Sequence, residues 1–207
     1  NFLLKNDDIS FLVDCGLNQS RELCDHCNYD DFKYDPSEVE FLFITHAHLD
    51  HIGRIPKLVK AGFRGVIYST PSTLEMATIM FQDGVGLLAR EAKKLGREPL
   101  YDAKDVQLAL SLWKTVKYHT HTELKPGYSF YYKDAGHIMG SVITEITHEK
   151  DGHKSKIAFT GDLGNSPTPL LRDTDPVTDV DYMVMESVYG DRNHETTIEE
   201  RTDRLEE

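Results

Sequence analysis

A short segment rich in histidine, residues 45–51 with the sequence THAHLDH, constrains this chain more than any other part of it. It directly follows residues 39–44, a nearly continuous apolar run that is typical of a buried strand. In α/β proteins, functional groups concentrate at the carboxyl ends of such strands. We therefore expect the segment to lie at one edge of a sheet.

The spacing within this segment is typical of a metal site. In an extended backbone, residues two apart project to the same side, so His46 and His48 point toward a common position. A turn after His48 would carry Asp50 and His51 to a second position nearby. Imidazoles and carboxylates together are the ligands that zinc and similar divalent ions favour. The competing interpretation, a polar loop with chance histidines, does not explain three histidines and one aspartate within six residues.

Three other positions, one before residues 45–51 and two after them, also place a polar side chain at the end of a predicted strand. His137 lies between glycines in residues 134–141 (DAGHIMGS), and Asp162 lies between glycines in residues 160–164 (TGDLG). Glycine allows the tight turns that can present a ligand. Asp14 is a weaker example, at the end of an apolar run. Each of them alone would be interpreted as structural, but beside residues 46–51 they become candidate site residues.

The remaining pattern predicts one layered α/β domain with its helices outside. No internal repeat or low-complexity linker divides the 207 residues, and no run of about 18 apolar residues could cross a membrane. We predict strands over residues 2–5, 9–14, 39–44, 65–68, 115–119, 128–132, 141–147, 156–160 and 182–185. We predict helices over residues 20–27, 52–60, 71–95 and 103–113.

Charge and cysteine content limit the class of protein. The 23 basic and 35 acidic residues give a formal net charge of −12, which argues against a plain nucleic-acid-binding module held by a positive field. An acidic balance is compatible with a metal enzyme, because bound cations neutralise ligand carboxylates. Three cysteines fit a reducing compartment, and the first residues show no signal peptide, so we expect a cytoplasmic protein.

The order of the candidate residues resembles the metallo-β-lactamase fold superfamily, whose hallmark is the HxHxDH motif seen at residues 46–51. The resemblance covers almost the whole chain and implies an α/β fold, the αββα sandwich. Residues 186–191 (ESVYGD), residues 135–141 (AGHIMGS) and the helical stretch 84–100 resemble the β-CASP group of RNA- and DNA-processing nucleases. That group includes ribonuclease J and the nuclease subunit of the mRNA cleavage and polyadenylation factor.

The resemblance implies a site with two zinc ions. One ion is held by three histidines, the other by an aspartate and a histidine, and a second aspartate bridges the two. The three histidines are His46, His48 and His137. The aspartate and histidine of the other ion are Asp50 and His51, and the bridging aspartate is Asp162. The resemblance also implies that Asp14 supports a ligand histidine, that Asp50 orients a hydroxide nucleophile, and that Glu186 supports the site or handles a proton. It names no substrate-binding residue.

The chain departs from the β-CASP pattern at its end. In that group a cap domain follows the Glu186 strand, and later strands supply a further ligand to the second zinc ion and a histidine that protonates the leaving group. We therefore expect residues 1–190 to form the N-terminal portion of the metallo-β-lactamase domain and residues 191–207 to begin the segment leading into a cap domain. The sandwich and the second zinc site are then incomplete. His194 is assigned neither role.

These expectations describe a zinc-dependent phosphodiester hydrolase that acts on RNA and is inactive as this chain alone. The alternatives are a thioester or lactone hydrolase of the same fold and a non-catalytic scaffold of an RNA-processing complex. Residues 186–190 and the helices within 71–113 favour the nuclease, and the presence of all six matched ligand residues disfavours the scaffold, because non-catalytic members lose such ligands. The sequence does not distinguish an RNA from a DNA substrate or internal from terminal cleavage, and a homo-oligomer is possible. No membrane partner is expected.

Two other groups of metal-binding residue types are interpreted as structural. Cys24 and Cys27 form a lone CxxC, whereas a structural zinc site needs four ligands. His119 and His121 alternate on a predicted strand, but no acid and histidine pair lies beside them. We therefore interpret both histidines as surface residues.

Overall fold

The computed structural model describes residues 1–19, 27–165 and 170–191. Within these ranges, ten strands form two sheets of five. The first sheet has the order β1 (Phe2–Lys5), β2 (Ser10–Val13), β3 (Phe41–Phe43), β4 (Val66–Ser69) and β5 (Trp113–Thr115). The second has the order β10 (Tyr182–Val184), β9 (His153–Phe159), β8 (Val142–Lys150), β7 (Tyr128–Asp134) and β6 (Thr122–Lys125).

The two sheets differ in how their strands are connected. Strands β2 to β5 are parallel, and β1 joins their edge antiparallel to β2. Parallel neighbours need a crossover, which helices α1 (Leu49–Ile52) and α2 (Ile55–Lys60) provide between β3 and β4. Helices α3 (Pro71–Lys94) and α4 (Ala103–Ser111) do so between β4 and β5. Strands β6 to β9 form an antiparallel meander, and β10 pairs with β9 in parallel.

The sheets pack face to face, and the alternation of side chains along each strand separates two cores. In β2, Leu12 faces the helices, whereas Phe11 and Val13 face the second sheet. The core between the sheets is rich in aromatic rings, with the Phe43 ring centroid 5.0 Å from that of Phe130. On the outer face of the second sheet, Ala135, Ile143 and Ala158 are covered by part of residues 170–181.

The layered α/β prediction is confirmed, with differences at particular elements. The helix predicted over residues 52–60 is shorter, since α1 ends at Ile52 and α2 begins at Ile55, with Pro56, which lacks a backbone N–H, in its first turn. Trp113 begins β5 instead of ending a helix, since its indole nitrogen donates a hydrogen bond to Ser69 Oγ (2.8 Å) on β4. Strand β6 was not predicted. The helix predicted over residues 20–27, which contains Cys24, lies outside the described residues except for residue 27. Residues 192–207, which contain His194, also lie outside them.

Helix α3 is the longest of the described helices and contains two glycines, Gly84 and Gly86. Among the described helices, none combines the length and the apolar character needed to cross a lipid bilayer. A Cβ atom at Gly86 would meet no atom within 4 Å, whereas one at Gly84 would lie 3.2 Å from the Tyr101 hydroxyl. The two glycines therefore differ in how freely they accept a side chain.

We expect Gly86→Ala to raise the free energy of unfolding by about 0.5–1 kcal/mol, because alanine loses less backbone freedom than glycine in a helix. The urea midpoint measures the change. Gly84→Ala is the matched comparison, with a smaller expected gain because of its contact with Tyr101. A lower midpoint for Gly86→Ala than for the unsubstituted chain would contradict the prediction.

Candidate metal centre

All the predicted site residues lie at one end of the sandwich, where strands of both sheets finish. Asp14 follows β2, and residues 46–51 follow β3 and begin α1. His137 lies between β7 and β8, and Asp162 follows β9. The backbone N–H of Val142 donates to the Thr45 carbonyl (2.8 Å), which joins the two sheets at this end. The convergence predicted from strand ends is therefore present in the structure.

The first ligand group consists of three histidines and one aspartate whose ligand atoms all lie within 4.8 Å of one another. His48 Nδ1 lies 3.0 Å from His46 Nε2 and 3.2 Å from His137 Nε2. Asp162 Oδ2 lies 3.7 Å from both His46 Nε2 and His137 Nε2. Four donors placed about 2.0–2.1 Å from one tetrahedral zinc ion stand about 3.3 Å from each other. The observed spacing fits such an ion.

The second ligand group consists of Asp50, His51 and the same Asp162. His51 Nε2 lies 3.2 Å from Asp162 Oδ1 and 3.6 Å from Asp50 Oδ2. The two oxygens of Asp162 thus face different groups, Oδ2 toward the three histidines and Oδ1 toward His51. A three-ligand group leaves positions open for water or substrate, as catalytic zinc sites do.

Asp14 fixes the orientation of His51 from behind. Its Oδ2 accepts hydrogen bonds from His51 Nδ1 (2.7 Å) and from the Thr45 hydroxyl (2.8 Å), and its Oδ1 accepts from the Thr45 N–H (2.8 Å). Because the Nδ1–H donates to this carboxylate, Nε2 is the ring atom that faces Asp50 and Asp162. Thr45, which the sequence reasoning did not assign, completes this support.

Burial and neighbouring charges prepare these residues as metal ligands. Burial, with the charge of His51, holds the pKa of His46 well below its ordinary value, and burial likewise lowers the pKa of His137. The hydrogen bond from His51 lowers the pKa of Asp162. Burial alone would lower the pKa of His51, but hydrogen bonds to Asp14 and Asp162 raise it to about 10. His46 and His137 therefore present neutral imidazoles beside the ionised carboxylate of Asp162.

The backbone around Asp50 is packed without space for an additional carbon. A Cβ atom at Gly16 would lie 1.4 Å from the Asp50 carbonyl oxygen. Three hydrogen bonds hold this contact: Cys15 N to His51 O (2.7 Å), Leu17 N to Leu49 O (2.8 Å) and Arg54 N to Cys15 O (2.9 Å). Gly16 therefore sets how closely α1 approaches the end of β2.

Glu186 lies behind the turn that presents Asp162. Its Oε1 accepts from the Leu163 N–H (2.5 Å), and its own N–H donates to the Thr160 hydroxyl (3.2 Å). A cleft of about 670 Å³ opens here. Its lining includes His137, Asp162, Met185, Glu186, Val188 and Tyr189. The cleft thus reaches the first ligand group at His137 and the shared ligand Asp162.

Most of this chain is similar to known proteins. The family model described as the metallo-beta-lactamase superfamily domain matches residues 3–162. Ribonuclease TTHA0252 of Thermus thermophilus is 34% identical over 183 residues, which cover 88% of this chain and 39% of that protein. Transcription termination factor FttA of Thermococcus kodakarensis is 33% identical over 216 residues, which cover 98% of this chain and 32% of that protein.

Among solved structures, a metallo-β-lactamase of Cronobacter sakazakii with a HARLDQ motif has a TM-score of 0.48 and 18% identity. The match covers 81% of this chain and 57% of that one. The chain thus spans well under half the length of the two curated relatives, and somewhat over half of this solved chain.

Proposed function

Because this chain belongs to the metallo-β-lactamase superfamily, we propose that it carries the metal centre of an RNA-cleaving phosphodiester hydrolase of the β-CASP group. The observation that carries the proposal is Asp162, with one oxygen toward each of two ligand groups. The names of the relatives, a ribonuclease and transcription termination factors, support RNA as the substrate. The superfamily resemblance seen in the sequence is confirmed.

We assign zinc to both groups, since histidine and carboxylate donors at these distances suit it. His46, His48, His137 and Asp162 would hold one ion, and Asp50, His51 and Asp162 the other. Zinc ions held there would supply a nucleophilic hydroxide at neutral pH by lowering the pKa of bound water toward about 7. The second group has fewer protein donors, so we expect it to bind zinc more weakly.

The residues around the two groups then have distinct roles. Asp50 has a half-exposed side chain 3.6 Å from His51 Nε2, where it can orient a water molecule at the second group. Asp14 holds His51, and Glu186 holds the Leu163 N–H so that the preceding Asp162 faces inward. A phosphodiester is anionic and repels a bare nucleophile, so a site that gathers cations suits this substrate.

We expect the full-length protein containing this chain to cleave labelled single-stranded RNA in the presence of zinc. Chelation should abolish the cleavage, and Asp162→Ala should reduce it by about 10³-fold or more, since the substitution removes a donor from both groups. The same preparation is assayed on the matching DNA and on thioester and lactone substrates. Hydrolysis of the small substrates without RNA cleavage would overturn the proposal, and so would absence of every activity in zinc-loaded protein.

Asp14→Asn tests the support of His51. We expect zinc affinity at the second group to fall by about 10- to 100-fold, because the neutral amide orients and polarises the imidazole less well. Competition with a chromogenic chelator measures the affinity. Asp14 has a φ of 58°, so the matched control is Asp151→Asn, another aspartate with positive φ (53°), in the turn between β8 and β9. Equal affinity in both variants would contradict the assignment.

Two broader predictions accompany this proposal. Residues 1–190 form the N-terminal portion of a metallo-β-lactamase domain, and residues 191–207 begin the segment that leads to a cap domain. The protein is located in the cytoplasm.

A further inference from the structure

The loop that carries His137 joins the end of β7 at Asp134 to the start of β8 at residue 142. It has positive φ at Gly136 (65°) and Gly140 (89°), and Met139 near its tip is 65% exposed. Around this exposed tip, Ile138 packs against the core on the helix side, and the Gly140 carbonyl accepts hydrogen bonds from the Thr70 and Thr73 hydroxyls (2.8 and 3.0 Å). His137 Nε2 has to stay near His48 Nδ1, 3.2 Å away, for the first ligand group to exist.

Two adjacent residues in the connection between β5 and β6 contact the two ends of this loop, Tyr118 directly and His119 through Asp175. The Tyr118 hydroxyl donates to the Ser141 carbonyl (3.0 Å) at one end. At the other end, His119 Nε2 lies 2.7 Å from Asp175 Oδ2, and the same oxygen accepts from the Asp134 N–H (2.7 Å). Since a carboxylate only accepts, His119 is the donor. We call Tyr118, His119 and Asp175 the loop brace.

Asp175 and Thr174 make further hydrogen bonds to the N-terminal end of the loop. The Asp175 N–H donates to the Asp134 carbonyl (2.9 Å), and the Thr174 hydroxyl donates to the Ala135 carbonyl (3.0 Å). A Cβ atom at Gly136 would lie 2.9 Å from that hydroxyl oxygen. The loop is therefore packed directly on this segment as well as bonded to it.

The brace is also fixed at its own base. The His119 N–H donates to the Tyr132 carbonyl (2.8 Å) on β7, and His119 has a left-handed φ of 58°. That conformation is uncommon for a residue with a Cβ and costs about 1 kcal/mol or more unless surrounding contacts maintain it. Here the contacts on both sides of the residue maintain it.

From this geometry we propose that Tyr118 and His119 are positioning residues for His137, holding its loop at both ends so that the imidazole is in place before a metal ion binds. The inference rests on the proposed metal site. Its physical basis is preorganisation: a ligand already held in position does not lose that freedom on binding. His119, interpreted from sequence as a surface residue, thereby acquires a role.

The first experiment measures backbone amide hydrogen exchange over residues 135–141 in the metal-free chain. Tyr118→Phe removes only the hydroxyl and His119→Ala removes the donor, and we expect each to accelerate exchange by about tenfold. His119→Gln, which keeps a nitrogen donor, should restore most of the protection. The control is His121→Ala, in the same connection, whose ring lies 4.6 Å from that of Tyr131. Unchanged exchange in both test variants would overturn the brace.

The second experiment separates positioning from general stability. Zinc affinity is measured for Tyr118→Phe and His119→Ala, each alone and combined with His137→Ala. We expect a loss of about three- to tenfold when His137 is present and no further loss when it is absent. Equal losses in both backgrounds would show a merely structural role and overturn the inference. A wild-type chain that takes up no zinc would overturn the metal site itself, whereas unchanged exchange with normal zinc uptake overturns the brace alone.

Discussion

Replacing His46 by alanine is expected to weaken only the tighter of two zinc-binding steps, whereas replacing Asp162 by alanine weakens both. His46 is fully buried at the base of the first ligand group and contributes to that group alone. Asp162 faces His46 and His137 through Oδ2 and His51 through Oδ1. The two variants therefore distinguish a ligand of one ion from a bridge between two.

The expected loss of zinc affinity on removing one ligand follows from the total affinity of zinc sites in proteins. Zinc binding by four protein ligands is worth about 10–16 kcal/mol, so one ligand accounts for about 2.5–4 kcal/mol, or about 10²- to 10³-fold in affinity. Elemental analysis after dialysis and competition with a chelator measure the two steps. The control is Asp83→Ala, an exposed aspartate on α3. If Asp162→Ala alters a single step, Asp162 is not a bridge.

Gly16→Ala is expected to lower the free energy of unfolding by about 3 kcal/mol or more, or to displace α1 and abolish binding at the second ligand group. The added Cβ would lie 1.4 Å from the Asp50 oxygen, 1.8 Å from the Asp50 carbonyl carbon and 2.4 Å from the His51 nitrogen. These are backbone atoms, which cannot move aside as a flexible side chain could. Urea unfolding and zinc titration together detect either outcome.

Gly86→Ala is the matched substitution for this experiment, since the same change in α3 meets no neighbouring atom. Opposite shifts of the urea midpoint in the two variants would confirm that contact with α1 determines the cost. A Gly16→Ala chain with unchanged stability and unchanged zinc binding would show that this approach of α1 to β2 is not required.

Local sequence rules predicted the parts of the fold and site that depend on short-range pattern. The apolar run at residues 39–44 predicted β3, and the rule that groups gather at strand ends predicted where residues 46–51 lie. The pairing of Asp14 with a ligand histidine was implied by the resemblance, and the structure shows it as a 2.7 Å contact with His51. The ligand roles themselves stay proposals.

Features that depend on long-range contacts were not predictable in this way. Trp113 continues the apolar periodicity of α4, and only its bond to Ser69 on β4 shows why it begins a strand. The role of His119 depends on Asp175, 56 positions away. Thr45 carries no distinctive sequence pattern, although its hydroxyl binds Asp14. In each case the partner is brought close by the folding of the whole sandwich.

The contrast between the meander β6 to β9 and the crossovers of β2 to β5 has a consequence for how the chain folds. The meander pairs strands that are neighbours in sequence, so only short loops have to close and we expect its contacts to form early. The parallel strands pair only after much longer loops have closed, so we expect them to form later. The proposed ligands come from both sheets and meet when the sheets dock. Zinc binding is then expected only in the last stage of folding. A zinc-sensitive dye added during refolding would measure the rate of that stage.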